Sequence, residues 1–164
     1  MSAYSYVLLA HLFSIVAFLV VHGSSIVITL QLRREHDPAR QRTLLELSRN
    51  SVGFVHLATL FVFATGVALG FLGNWWGRLW IWTAIALSIG LWGVMYLLGT
   101  RRLDRLRTAL GVAAFYAKKD DPEPAQASPD EQALITRSWE PWSISTIGAT
   151  GLAVMFWLMM FKPF

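Results

Sequence analysis

The stretch YSYVLLAHLFSIVAFLVVHGSSIVITLQL, Tyr4 to Leu32, contains no Asp, Glu, Lys or Arg. As a helix rising about 1.5 Å per residue it is longer than the roughly 30 Å hydrocarbon core of a bilayer. Three further runs share the property: Val52–Leu72, Leu79–Leu98 and Trp142–Phe161. The composition, 55% hydrophobic and 15% charged, places so much apolar surface in these runs that a soluble core is excluded. Inside lipid each backbone amide must be paired within its own segment, and no period-two alternation supports a barrel. The sequence therefore predicts an all-α membrane protein. Residues 1–164 form a single membrane domain, a four-transmembrane-helix bundle with helices at about 4–32, 52–73, 79–100 and 141–161, and a cytoplasmic loop over 101–140.

The first run is expected to be retained as a helix and not removed as a secretion signal. Met1 to Tyr6 carries no basic residue, the apolar run is too long, and no small-x-small cleavage site follows it. The absence of cysteine excludes disulfides and thiolate metal sites.

Arginines set the expected orientation. Arg33, Arg34, Arg40, Arg42 and Arg49 follow the first run, and Arg101, Arg102, Arg105, Arg107, Lys118, Lys119 and Arg137 follow the third, whereas only Arg78 lies between the second and third. Basic loops stay in the cytoplasm, so both termini are expected outside (N-out, C-out) in a bacterial inner membrane. The net charge of +4 then serves topology and attraction to anionic lipid headgroups, and nothing in it points to nucleic acid. Trp75, Trp76, Trp80 and Trp82 at the outer turn, and Trp139 and Trp142 at the inner side, are expected as headgroup-level belts.

The loop after the third run divides in two. Leu103, Leu106, Leu110, Ala113, Ala114 and Ala117 fall at helical spacing among basic residues, which predicts an amphipathic cytoplasmic helix. Residues 120–132, with three prolines and clustered acids, read as a mobile linker or a strap ordered by a partner. Small residues (Gly66 and Gly70, then Ser88, Gly90 and Gly93, then Ser145, Gly148 and Gly151) mark faces where helices approach closely.

Chemistry is expected at the polar residues at depth. His11 and His22 are separated by about 1,100° of helical rotation, within about 20° of a whole number of turns, so they share one face about 16 Å apart along the axis. His56 lies on the second run, about 10 Å inside Arg49, against about 16 Å from His22 to Arg33, a gap that helix tilt can close. Intramembrane ionisable side chains usually face a bundle interior or a bound group. Neutral imidazoles on neighbouring helices are the usual axial ligands of a b-type haem, so His22 and His56 are the candidate ligands of haem iron, with His11 nearer the outer face. Each histidine also has a plain reading as a hydrogen-bonded packing residue. With three histidines at depth, one haem is the most the chain supports. Met95, at about the depth of His56, is a candidate thioether ligand, although a methionine in an apolar helix usually only packs.

A histidine near the start of the first helix, Arg33-Arg-Glu-His-Asp-Pro38, Ala64-Thr-Gly-Val-Ala-Leu-Gly70, the Trp-rich turn and Arg101-Arg-Leu-Asp-Arg-Leu-Arg107 resemble an uncharacterised family of small bacterial four-helix integral membrane proteins. That family is loosely similar to the membrane portion of copper-resistance D proteins. The resemblance spans about the first 110 residues and implies the fold, with His11 at the recurring histidine; His22 has no counterpart in it. Four-helix, haem-associated protoporphyrinogen oxidases also begin with a histidine-bearing helix, but this chain lacks their Tyr-Leu-Pro-Arg run and any lysine at membrane depth.

Three functions follow as expectations. The first is a redox-associated subunit of a larger membrane assembly, holding one b haem or shaping a quinone pocket. The second is a structural or assembly subunit without cofactor. The third is copper handling, with uptake at His11 and Met159 or Met160. None of these makes the chain an enzyme on its own, and no Ser-His-Asp set assembles at one depth. Membrane lipids and other membrane subunits are the expected partners.

Overall fold

The computed structural model describes residues 2–118, 120–138 and 141–163. Lys119 and Trp139, used above for topology and the inner belt, lie outside them, as does the Arg137 side chain. The described chain is helical throughout its regular parts, in the order α1 (Ala3–Arg34), α2 (Pro38–Leu72), α3 (Leu79–Met95), a π-helical turn (Tyr96–Thr100), α4 (Arg101–Ala109), α5 (Pro129–Arg137) and α6 (Pro141–Phe161). Four helical stretches, with α3 continuing through the π turn into α4, are long and apolar enough to cross a membrane. The chain is a multi-pass membrane protein.

Its helices pair as two antiparallel hairpins. α1 lies along α2, α3 lies along α6, and α1 touches α6, while α2 and α3 make little contact beyond the turn joining them. We call the end holding that turn the turn end and the opposite end, with α4 and α5, the loop end.

Helix α2 begins at Pro38, well before the apolar run, so residues 38–51 are helical and not part of a loop. Asp37 caps it by accepting the Ala39 N–H, and Pro38 occupies the first turn, where its missing N–H costs nothing. Only Glu35, His36 and Asp37 separate α1 from α2. The Glu35 carboxylate accepts the backbone N–H groups of Asp37 and His36, which lowers its pKa, and Gln41 closes the turn by donating to the Glu35 carbonyl at 2.8 Å. At 32 and 35 residues, α1 and α2 project past the hydrocarbon core at the loop end.

The other chain reversals have readable chemistry. After α2, Asn74 takes a left-handed conformation (φ 52°), with Trp75 N–H donating to the Gly70 carbonyl and Asn74 N–H to that of Phe71. After α4 the same motif recurs at Gly111 (φ 71°), with Val112 N–H on the Arg107 carbonyl and Gly111 N–H on that of Thr108. This stop ends the helix at Ala109, so Ala113, Ala114 and Ala117, expected to continue it, lie in irregular chain. The expected linker is also shorter: residues 129–132 belong to α5, capped by Ser128, and the preceding chain is pinned where Ala127 N–H donates to the Ala109 carbonyl and Arg42 to the Gln126 side chain.

Leu32, Leu45, Leu106 and Leu110 are the fully buried leucines, and they form one cluster at the loop end beneath Leu44, Leu103, Val112 and Ile135. Beside it Arg107, only 3% exposed, donates from Nη1 to the Leu45 carbonyl (2.8 Å) and from Nε to the Ala113 carbonyl (2.7 Å), with Nη2 3.5 Å from Glu46. One side chain thus ties α2, α4 and the chain after α4. Along the spans themselves few residues are buried, as expected where lipid already solvates apolar surface.

The Arg107→Met variant keeps the apolar stem and removes the donors. It is expected to lower stability in detergent by about 2–4 kcal/mol, measured by thermal or denaturant unfolding, since charged hydrogen bonds to buried acceptors are worth roughly 1.5–3 kcal/mol each. Arg107→Lys is expected to recover less than half of that loss, because an ammonium cannot reproduce the fork.

Candidate functional site

The register of the first hairpin comes from a hydrogen bond between helices. Thr65 donates its hydroxyl proton to the Phe61 carbonyl at 2.6 Å, so its oxygen accepts from His11 Nδ1–H at 2.8 Å. His11 is buried, and its Cε1 lies 3.4 Å from where a Cβ on Gly66 would stand, so the absence of a side chain at Gly66 makes room for the ring. With His11 opposite Thr65, antiparallel counting puts position 54 opposite His22, two residues from His56. Register alone brings the two histidines to within about 3 Å of one another along the helix axes, against the roughly 6 Å difference expected from the basic residues.

His22 and His56 line one cavity of about 160 Å³ on the loop-end side of the spans, bounded also by Met95 and Trp92 of α3, Tyr96 of the π turn and Tyr116. His56 Nδ1–H donates to the Val52 carbonyl at 2.8 Å, which in the neutral ring leaves Nε2 as a free acceptor. A metal-binding or base histidine is commonly oriented in this way, its second nitrogen anchored on a carbonyl. His22 stacks on Phe18, with centroids 5.2 Å apart, and among the described residues no hydrogen-bond partner reaches its ring nitrogens. A methyl on Gly148 would stand 3.9 Å from both His22 Nε2 and Met95 Sδ and 2.8 Å from Met95 Cε, so glycine at 148 lets α6 approach both side chains.

The cavity brings His22, His56 and Met95 together and leaves His11 apart, nearer the turn end, where it serves packing. Among the described residues no three of His, Cys, Asp and Glu converge on a point. Sequence reasoning missed Tyr96, Tyr116 and the π turn. Single π turns within helices are frequent at functional sites, and this one places Tyr96, Gly99 and Thr100 on the cavity wall. Gly99 was the local signal, though a glycine alone does not distinguish a π turn from ordinary packing. Tyr116 reaches the cavity from irregular chain, which no helical period could indicate.

At the turn end the tryptophans differ from a uniform belt. Trp82 is exposed and donates to the Trp76 carbonyl at 3.0 Å, but Trp80 is 2% exposed and packs on Trp75, whose ring also meets Tyr4 edge-on and carries the Lys162 ammonium 4.3 Å from its centroid. Three large rings and one cation close this end.

No protein-family model, curated protein or solved structure matches this chain.

The His11–Thr65 pair is expected to show a coupling of about 0.6–1.7 kcal/mol in a double-mutant cycle of His11→Leu and Thr65→Val, read as unfolding free energy in detergent. Near-additive losses would remove its role in setting register.

Proposed function

We propose that this protein is a redox-associated subunit of a larger assembly in a bacterial inner membrane, shaping a pocket for the single-ring head of a lipid-soluble quinone. The observation that carries this reading is that His22 and His56 line one ring-sized cavity within the spans. A void of about 150 Å³ lined by apolar side chains is known to hold benzene, and pockets for drug-sized ligands are roughly 300–1,000 Å³. At about 160 Å³ the cavity suits one six-membered ring. It is too small for a haem macrocycle as the helices are packed, so the b-type haem expected from the same histidines is the less favoured occupant.

The polar groups suit a quinone. An oxidised head presents two carbonyl acceptors, which His22 and Tyr96 can meet with N–H and O–H. A reduced head presents hydroxyl donors, which the free Nε2 of His56 accepts. Among the described residues no Asp, Glu, Lys or Arg lines the cavity, which favours a neutral head and an apolar tail in lipid. Electron donors and acceptors belong to neighbouring subunits, and exposed apolar residues such as Phe13, Val20, Phe54 and Phe61 offer faces for these or for lipid. We place both termini outside and the loop end in the cytoplasm: the arginines after α1 and those of α4 gather at the loop end, against Arg78 and Lys162 at the other.

Titration of the detergent-purified protein with a short-chain benzoquinone, followed by tryptophan quenching, is expected to give saturable binding. His22→Ala, His56→Ala and the cavity-filling Gly148→Leu should each weaken it at least tenfold, and His11→Leu should leave it within twofold. Quenching that does not saturate, and is equal in all variants, would overturn the quinone reading. A pyridine haemochrome assay on the same preparations distinguishes the haem: stoichiometric b haem lost in His22→Ala or His56→Ala would replace the quinone by haem.

A further inference from the structure

The chain between α4 and α5 does more than connect them. Its start is fixed to α4, with Val112 N–H on the Arg107 carbonyl (2.8 Å) and the Ala113 carbonyl on Arg107 Nε (2.7 Å). Beyond that the chain turns, with Ala117 N–H on the Ala114 carbonyl, and the tip places Tyr116 on the cavity wall and Phe115 beside His56. Phe115 stacks on His56 with centroids 6.2 Å apart and planes 24° apart, and Tyr116 lies 6.3 Å from Tyr96 while meeting Phe115 edge-on at 4.8 Å. Tyr116 is, among the described residues, the one that lines the cavity from outside the helices. Among the described residues, a single hydrogen bond ties the tip 114–117 to the helices: Phe115 N–H donates to Asp104 Oδ1 at 2.7 Å. Asp104 lies one turn before Arg107 on α4, so one helix holds both the base and the tip of this chain.

We propose that Phe115 and Tyr116 form an aromatic gate over the loop end of the His22–His56 cavity, latched by Asp104, through which water and protons reach the histidines from the loop-end aqueous phase. Closed, the gate stacks Phe115 on one face of the otherwise exposed His56 ring and narrows the mouth with Tyr116. Its opening needs only the Asp104 bond and the ring contacts to break, because the Arg107 contacts anchor the base separately. The left-handed Gly111 starts the reversal without strain. The gate deepens the proposed pocket by assigning its aqueous access. It depends on the cavity being a working site, but its test reads access without any ligand.

The chain has no cysteine, so a single reporter can be introduced cleanly. Ser25→Cys on the cavity wall, reacted in detergent with a positively charged methanethiosulfonate, is expected to label slowly. Labelling should accelerate at least tenfold when Asp104→Ala removes the latch, and likewise when Phe115→Ala and Tyr116→Ala remove the rings. Asp104→Asn, whose amide oxygen still accepts, should keep the slow rate. Ala125→Cys, exposed at the same end, should label at one rate in all backgrounds. Equal rates for Ser25→Cys with and without the gate variants would overturn the proposal, as would acceleration of Ala125→Cys in parallel, which signals general loosening. Loss of quinone binding with the labelling pattern intact would reject the occupant and leave the gate standing.

Discussion

Arg107 holds its charge among backbone carbonyls, with the nearest carboxylate, Glu46, at 3.5 Å and half in solvent. A guanidinium so placed is sustained only while its acceptors stay where they are, so its geometry constrains α2, α4 and the following chain at once. Within lipid there is no comparable constraint, because lipid tails solvate leucine as well as another helix does. The four fully buried leucines therefore gather at the loop end, where the apolar runs give way to charged chain. Leu32, Leu45, Leu106 and Leu110 are buried there, where water exclusion drives association, and the spans extend from that clamp.

The cavity is a consequence of this division. α1 and α2 are held by the His11–Thr65 bond and the leucine cluster, and α3 and α6 by Gly148 and Gly151 accepting Met95 and Leu91. Little draws α2 to α3 between the Trp-rich turn and the clamp, and the space left between the hairpins is where His22, His56, Trp92 and Tyr96 meet. The π turn adds one residue to the helical repeat at that level, which redirects Tyr96 and Thr100 into the gap before α4 returns to the clamp. Small residues are essential here for what they leave open: a side chain on Gly148 enters the space beside His22.

Much of the fold was legible because long uncharged runs admit one solution in lipid. Where sequence reading stopped short, the cause was specific. Charge ended the second apolar run at Arg49 without ending its helix, so the start of α2 had to be read from Asp37 and Pro38, a capping signal independent of hydropathy. Counting from basic residues set His22 and His56 at different depths, because distance from a charge measures helix length and not partner register; the His11–Thr65 bond supplies that register and depends on two residues 54 positions apart. The stop at Gly111 was written locally, yet alanine and leucine spacing beyond it imitated a helix. Trp80 read as a belt residue by type, and its burial follows from the company of Trp75, Tyr4 and Lys162, which only the fold assembles.

Position joins the clamp to the site. Leu103 packs on the leucine cluster and also lines the cavity, and the Asp104 and Arg107 that hold the gate stand on the same short helix. A displacement of α4 relative to α2 therefore cannot alter the Arg107 contacts without altering the mouth of the cavity. Because α4 continues α3 through the π turn, the same displacement is carried into Tyr96. Whatever binds at the loop end and moves α4 acts on the histidine pocket through one rigid element, with no longer path required. The loop end and the histidine pocket within the spans are thereby coupled mechanically through α4.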